Sequence, residues 1–264
     1  MLPIGVQLYS LRDLASKDFM AVLKKVADIG YKYVEPAGVW DIRPSEFRKV
    51  INDLGLDMIS SHSPWAHINN LGETMDTADA MGLKRIVCGY GPNEFKDLDS
   101  IKKAAEQTAY MQQVLERNGF TLFQHNHNFE FQRIDGKIKY QIFREYCPKV
   151  KIQMDCFWST SLGQEDPVEM MKMFSKDIIL LHMKDGICKQ NVDGKKYVNG
   201  ILERKVELMA LGDGDLPIKD LIKTAPKQTQ AVIVELDYCN IDMVTAIEKS
   251  YHYLIDNKLA EGNK

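Results

Sequence analysis

The chain of 264 residues contains no run approaching ~18 consecutive apolar residues, which excludes an ordinary membrane-spanning helix. Its five cysteines (Cys88, Cys147, Cys156, Cys188 and Cys239) are odd in number and scattered, and none forms a CxxC pair. That spacing indicates neither a structural zinc knuckle nor a disulfide framework, and a reducing compartment fits best. Neither sign of charge is in large excess. Lys and Arg total 34 against 37 Asp and Glu, a net charge of -3, which argues against a broad electrostatic partner such as duplex nucleic acid. Met1 leads directly into the strand-like Pro3-Ile4-Gly5-Val6, without a basic segment or an apolar leader. The chain as given reads as cytoplasmic, or periplasmic if a signal peptide has been removed. No linker or low-complexity stretch divides the sequence, so one domain over residues 1–264 is expected.

What is present is a regular alternation. Residues 4–9 read as a strand, followed by a helix whose Phe19, Val22, Leu23, Val26 and Ala27 share one face. Gly30 stands where a glycine would stop that helix, and Tyr31 to Glu35 reads as the next strand. The unit recurs: helices over 44–54, 74–81, 100–117, 142–147, from Pro167 onward, 217–225 and 242–259. The alternating strands fall at 57–62, 84–89, 121–125, 151–155, 178–183 and 231–236. Eight such units in this length predict a (β/α)₈ TIM barrel. The competing open doubly wound sheet usually carries a glycine-rich turn after its first strand; here that turn is Tyr9-Ser10-Leu11-Arg12-Asp13, without glycine. Gly186 to Val206 reads as a polar, lysine-rich insertion after the seventh strand, placed to shape an active-site mouth.

In a TIM barrel the chemistry lies at the C-terminal strand ends. Those ends carry Glu35, His62, Cys88, His125 with His127, Asp155, His182 and Glu235, and five of the six histidines sit at or just beyond a strand end. Asp155, His182 and Glu235 each close an apolar strand. Carboxylates and an imidazole converging on one rim suit a divalent cation such as Mn, Mg, Co or Zn, which would offset their burial. Ion pairing with Lys184 or Arg12 is the competing account, better suited to Asp185 than to Glu235. Gly212-Asp213-Gly214-Asp215 reads as a turn rather than a phosphate cradle, because its aspartates disfavour an anion.

The strings Gln124-His125-Asn126-His127-Asn128-Phe129-Glu130-Phe131, Met154-Asp155-Cys156-Phe157-Trp158, Leu181-His182-Met183-Lys184-Asp185 and Val234-Glu235-Leu236-Asp237 carry a resemblance. They resemble the sugar phosphate isomerase/epimerase-like proteins of the xylose-isomerase-like TIM barrels, a superfamily that includes tagatose epimerases, inosose isomerases and dehydratases, and endonuclease IV. The resemblance spans nearly the whole chain and is specific for the superfamily, not the substrate. It implies one divalent metal ion held by two acids, an aspartate and a histidine. Asp155, His182 and Glu235 match three of these positions. The fourth departs, since the fifth strand ends in His125 rather than glutamate; Glu130 folding back is the preferred ligand, with His125 or His127 as alternatives. A second departure is Trp158, where the epimerases carry a substrate-binding histidine. An indole can stack on a sugar but cannot exchange protons.

The expectation is therefore a metal-dependent isomerase or epimerase acting on a ketose, inosose or keto-sugar, with proton abstraction beside a metal-polarised carbonyl. Glu235, Glu130 and His127 are the candidate proton carriers. His62, Trp65, His125, Trp158 and Lys184 are the candidate substrate contacts, and ordinary packing or surface roles compete for His62, Trp65, Trp158 and Lys184. β-Elimination by a 3-keto-glycoside lyase or dehydratase is the second reading, and a non-catalytic sugar-binding protein the third. An endonuclease-IV-like role needs a multinuclear zinc site and a basic face, neither of which the sequence offers. The expected partner is a small-molecule sugar, not nucleic acid or membrane; homo-oligomerisation stays open.

Overall fold

A computed structural model describes residues 1–40, 42–190, 197–198, 201–202 and 204–264. Among the described residues, eight parallel strands alternate with eight helices of seven residues or more around a barrel, and a short helical turn, Arg12–Ala15, precedes the first of these helices. The strands are β1 (Leu2–Gln7), β2 (Tyr33–Glu35), β3 (Asp57–Met58), β4 (Arg85–Cys88), β5 (Thr121–His125), β6 (Lys151–Asp155), β7 (Ile178–Met183) and β8 (Val232–Val234). The helices are α1 (Phe19–Ile29), α2 (Pro44–Asp53), α3 (Leu71–Ala80), α4 (Leu98–Arg117), α5 (Lys139–Tyr146), α6 (Pro167–Phe174), α7 (Ile218–Thr224) and α8 (Met243–Asp256). Hydrogen-bonded neighbours run β3-β2-β1-β8-β7-β6-β5-β4, so the expected TIM-barrel architecture is present.

Local chemistry sets the elements. Asp18 caps α1 by accepting from the Ala21 amide at 2.9 Å, and Phe19, Val22, Leu23, Val26 and Ile29 are its buried residues. Gly30 ends the helix at φ 117°, and a Cβ there would lie 2.6 Å from the Tyr251 hydroxyl oxygen. Both conformation and space therefore require glycine.

Two strands are shorter than their apolar runs suggest. β1 stops at Gln7, whose side-chain oxygen accepts from the Tyr9 amide at 3.0 Å and turns residues 8–11 into a short 3₁₀ helix. β3 is limited to Asp57–Met58, and among the described residues no ladder joins β3 to β4. The chain crosses that seam differently. The Ala66 amide donates to the Val87 carbonyl at 2.8 Å, and the Arg85 guanidinium reaches the Ile59 carbonyl at 3.5 Å.

Side-chain alternation along the strands explains what fills the barrel and what crowns it. Phe123, Leu180 and Ile233 stand two residues before His125, His182 and Glu235, so each pair shares a face. Ile59, Val87, Phe123, Ile179, Leu180, Ala231 and Ile233 form one buried apolar cluster, which closes the barrel beneath its polar rim. A much larger cluster lies between strands and helices. After β7, residues 185–190 pair antiparallel with 204–209, a hairpin within the insertion expected over 186–206; the rest of that insertion lies in part outside the described residues. No described helix is long and apolar enough to cross a membrane.

Candidate active site

Register brings the polar ends together. Asp155 lies opposite His182, Ile233 opposite His182 on the other side, and His125 opposite Gln153. One ligand atom from each of His125, Asp155, His182 and Glu235 lies within 4.8 Å of the others, and all four residues are buried. Three are the sequence-predicted candidates; the fourth member of the group is His125, the expected alternative to Glu130. Glu130 is fully buried, and its Oε2 accepts from the His127 amide at 3.0 Å while Oε1 has no hydrogen-bond partner. It neither joins the four-residue group nor lines the pocket above it.

Hydrogen bonds fix the geometry around the group. The Trp158 amide donates to Asp155 Oδ1 at 2.8 Å, and the Asp155 amide donates to Asn126 Oδ1 at 2.9 Å. His182 is clamped by two carboxylates, Glu235 Oε2 at 2.7 Å from Nδ1 and Glu35 Oε2 at 2.5 Å from Nε2. Glu35 in turn accepts from Gln7 Nε2 at 2.9 Å and from Gln153 Nε2 at 2.7 Å. Gln153 Oε1 faces His62 Nε2 at 2.6 Å and His125 Nδ1 at 3.1 Å. With that oxygen as acceptor, each ring holds its proton on the side facing Gln153, which leaves a lone pair on His125 Nε2.

Lys184, expected as a substrate contact and considered as an ion-pair partner, lies among the site's acids. It is only 1% exposed, and its ammonium donates to Asp155 Oδ2 at 2.6 Å and to Glu235 Oε2, with Asp237 Oδ2 at 3.7 Å. The ion pairing considered above as a competing account is thus present for Asp155 and Glu235. Among the described residues it is absent for Asp185, whose carboxylate accepts from the amides of Gly186, Gly212, Gly214 and Leu216.

The ionisation pattern follows from these contacts. Burial opposes the charge on Lys184, but Asp155 and Glu235 outweigh it and hold the ammonium firmly protonated. Burial would raise the Glu235 carboxyl, yet Lys184 and His182 keep it well below the usual carboxylate range. Glu35 is likewise brought to about 2 against its burial, by His62 and His182. His182 is pushed up to about 9 because Glu35 and Glu235 overcome its desolvation. Desolvation pushes His125 well down, and it takes His127 to about 4, so both are neutral at pH 7. Burial raises Glu130 to about 8.

A cavity of about 210 Å³ opens above the group. Its ring faces come from Tyr9, Trp65 and Trp158; its polar walls come from His62, His125, His127, Lys184, Glu235 and Asp237. Every expected substrate contact therefore lines it. Trp65 lies within 5.0–6.4 Å of His62, His125 and His127, measured between ring centres. That position depends on Gly89, where a Cβ would fall 1.5 Å from Trp65 Cζ3. Of the residues that build the site, sequence reasoning left Gln7, Glu35 and Gln153 without a role, although Glu35 was visible as a strand-end acid.

The donor set fits a divalent cation. Two carboxylates and two imidazoles suit Mn, Co or Zn better than the oxygen-preferring Mg. The second nitrogen of His182 already rests on Glu35, the outer-shell arrangement expected of a ligating histidine. Lys184 and His182 Nδ1 already contact these carboxylates, so a cation held there would compete with them.

Comparisons with known proteins agree with this architecture. No curated protein matches the chain. A sugar phosphate isomerase/epimerase from Parabacteroides distasonis ATCC 8503 superposes with a TM-score of 0.78 at 21% identity, covering 98% of each chain. The probable 3-DHS dehydratase AsbF from Bacillus anthracis gives 0.72 at 11% identity, over 97% of this chain and 100% of that one. An L-ribulose 3-epimerase gives 0.67 at 13%, over 98% and 95%. These likenesses show the shared fold. The profile of the xylose isomerase-like TIM barrels matches residues 23–254, and the chain belongs to that family.

Proposed function

We propose that this chain is a divalent-metal-dependent isomerase or epimerase, working as a single barrel domain over residues 1–264 on a ketose, inosose or keto-sugar. The observation that carries the reading is the convergence of His125, Asp155, His182 and Glu235 within 4.8 Å beneath a pocket walled by aromatic rings. These four residues would hold the cation. When bound, the cation supplies Lewis acidity that polarises the substrate carbonyl and acidifies the adjacent C–H. Family membership and an epimerase among the structural neighbours support sugar chemistry.

The chain's own residues supply the proton traffic. Glu235 is ionised across the neutral range and takes the proton from the carbon beside the carbonyl. His127, neutral and with Nδ1 unpartnered, is the second carrier on the pocket wall. Both carriers line the pocket, and epimerisation needs two of them, because one face loses a proton and the other regains one. Glu235→Gln should lower solvent-deuterium incorporation into ketose substrates by about 10²–10⁴-fold, while circular dichroism shows the fold retained. Undiminished incorporation in that variant would overturn the assignment of Glu235.

The unpartnered His127 also favours a second reading, β-elimination, because an imidazole can deliver a proton to a departing oxygen. A dehydratase stands among the structural neighbours. Incubating metal-loaded protein with 3-keto-glycosides separates the readings: free aglycone supports elimination, and an epimerised ketose without aglycone supports the first.

A further inference from the structure

We infer that the pocket selects an uncharged, unphosphorylated sugar and discriminates against the corresponding phosphate ester, an inference that rests on the sugar-directed reading above. Wall charge is the first argument. Glu235 and Asp237 line the pocket, with Glu35 and Asp155 buried beside it, whereas among the described lining residues Lys184 is the only lysine and there is no arginine. That one ammonium is already engaged by Asp155, Glu235 and Asp237. Arg12 is occupied elsewhere: it lies 4.1 Å over the Tyr9 ring and donates to the carbonyls of Tyr9 at 2.9 Å and Asp237 at 2.8 Å. A phosphate dianion entering here meets carboxylates that outnumber the lysine and arginine side chains around them. A divalent cation at the ligand group would offset part of that charge without making the walls positive.

The unsatisfied atoms give an independent argument. Asp237 Oδ2, which has only the Lys184 ammonium near it at 3.7 Å, and His127 Nδ1 are buried on the pocket wall without a hydrogen-bond partner among the described residues. The carboxylate oxygen can only accept, and the ring nitrogen accepts in one tautomer. Sugar hydroxyls donate to such atoms, whereas a fully ionised phosphate has no proton to give. Tyr9, Trp65 and Trp158 supply ring faces for the apolar C–H face of a sugar. Phosphate recognition ordinarily recruits a bidentate arginine, a free lysine or a glycine-rich nest. Among the described residues the pocket offers none of these.

The test pairs D-ribulose with D-ribulose 5-phosphate and D-fructose with D-fructose 6-phosphate. Binding to the full chain is measured by calorimetry with and without Mn²⁺, and deuterium incorporation is followed in parallel. Each parent ketose should bind at least about tenfold more tightly than its ester. Asp237→Asn should narrow that gap several-fold, and an unchanged gap would overturn the electrostatic origin assigned to it. An ester that binds as tightly as its parent, or more tightly, overturns the inference. Ketose binding without deuterium incorporation sinks the proton-exchange reading and leaves the selectivity standing. Incorporation confined to an ester does the reverse.

Discussion

Glu130 holds its carboxyl in full burial, with one oxygen on the His127 amide and the other on nothing. Its folded pKa of about 8 lies above the ordinary glutamate value, so the native state retains a proton that the unfolded chain releases. Stability is therefore lost as pH rises from about 4.5 through 8, and the loss is complete above that window. Urea denaturation should show wild type weaker at pH 9 than at pH 5.5. Glu130→Gln should flatten that dependence, gaining on the order of a few kcal/mol at pH 9. The same variant should keep stoichiometric Mn²⁺ binding, whereas Asp155→Asn should lose it; loss in both would make Glu130 a ligand after all. The sequence could not exclude Glu130, because five residues of loop reach back to a rim in some conformations and not in others. Glu35 went unassigned for a related reason. Its role exists only through Gln7, Gln153 and His182, contacts made across four strands.

Between residues and the whole fold stand the elements that deliver side chains to the rim. Asp155, His182 and Glu235 were legible because each stands at or next to the end of a mainly apolar strand, and parallel register then sets strand ends side by side. The end of β3 was not legible: residues 59–62 have an apolar beginning but no ladder partner on the β4 side, so His62 is held by its amide bonding to the Pro36 carbonyl at 2.8 Å. Asp185 is the clearest case of an element built by one side chain. It gathers the amides of Gly186, Gly212, Gly214 and Leu216 and so ties the β7 exit to the loop before α7. The turn expected at residues 212–215 is formed around a carboxylate that lies far away in sequence. Asp185→Asn replaces one acceptor oxygen with a donor that faces N–H groups, and should cost about 2–4 kcal/mol. Hydrogen exchange at the Gly212, Gly214 and Leu216 amides should quicken in the variant. Unchanged exchange there would show that the loop is held by something else.

At the scale of the molecule, a net charge of -3 does not reveal that Glu35, Asp155, Glu235 and Asp237 meet at one site. Burying Asp155 and Glu235 unpaired would be costly, and sequence reasoning looked to a metal ion to offset them. The fold supplies a counter-charge of its own in Lys184, whose ammonium bridges the same two carboxylates. Folding and cation binding are thereby linked, since a cation and Lys184 would compete for Asp155 and Glu235. Lys184→Met removes the internal competitor and leaves the acids buried without it. The variant measured in chelator should lose about 3–5 kcal/mol of stability relative to wild type, the usual consequence of breaking one partner from a buried pair. Added Mn²⁺ should then restore more stability to the variant than it adds to wild type, because a ligand specific to the native state stabilises it by about 2.7 kcal/mol at a hundredfold excess over Kd. Thermal melts across a Mn²⁺ series read both effects. Equal Mn²⁺ shifts in the two proteins would mean that Lys184 and the cation do not compete for these carboxylates.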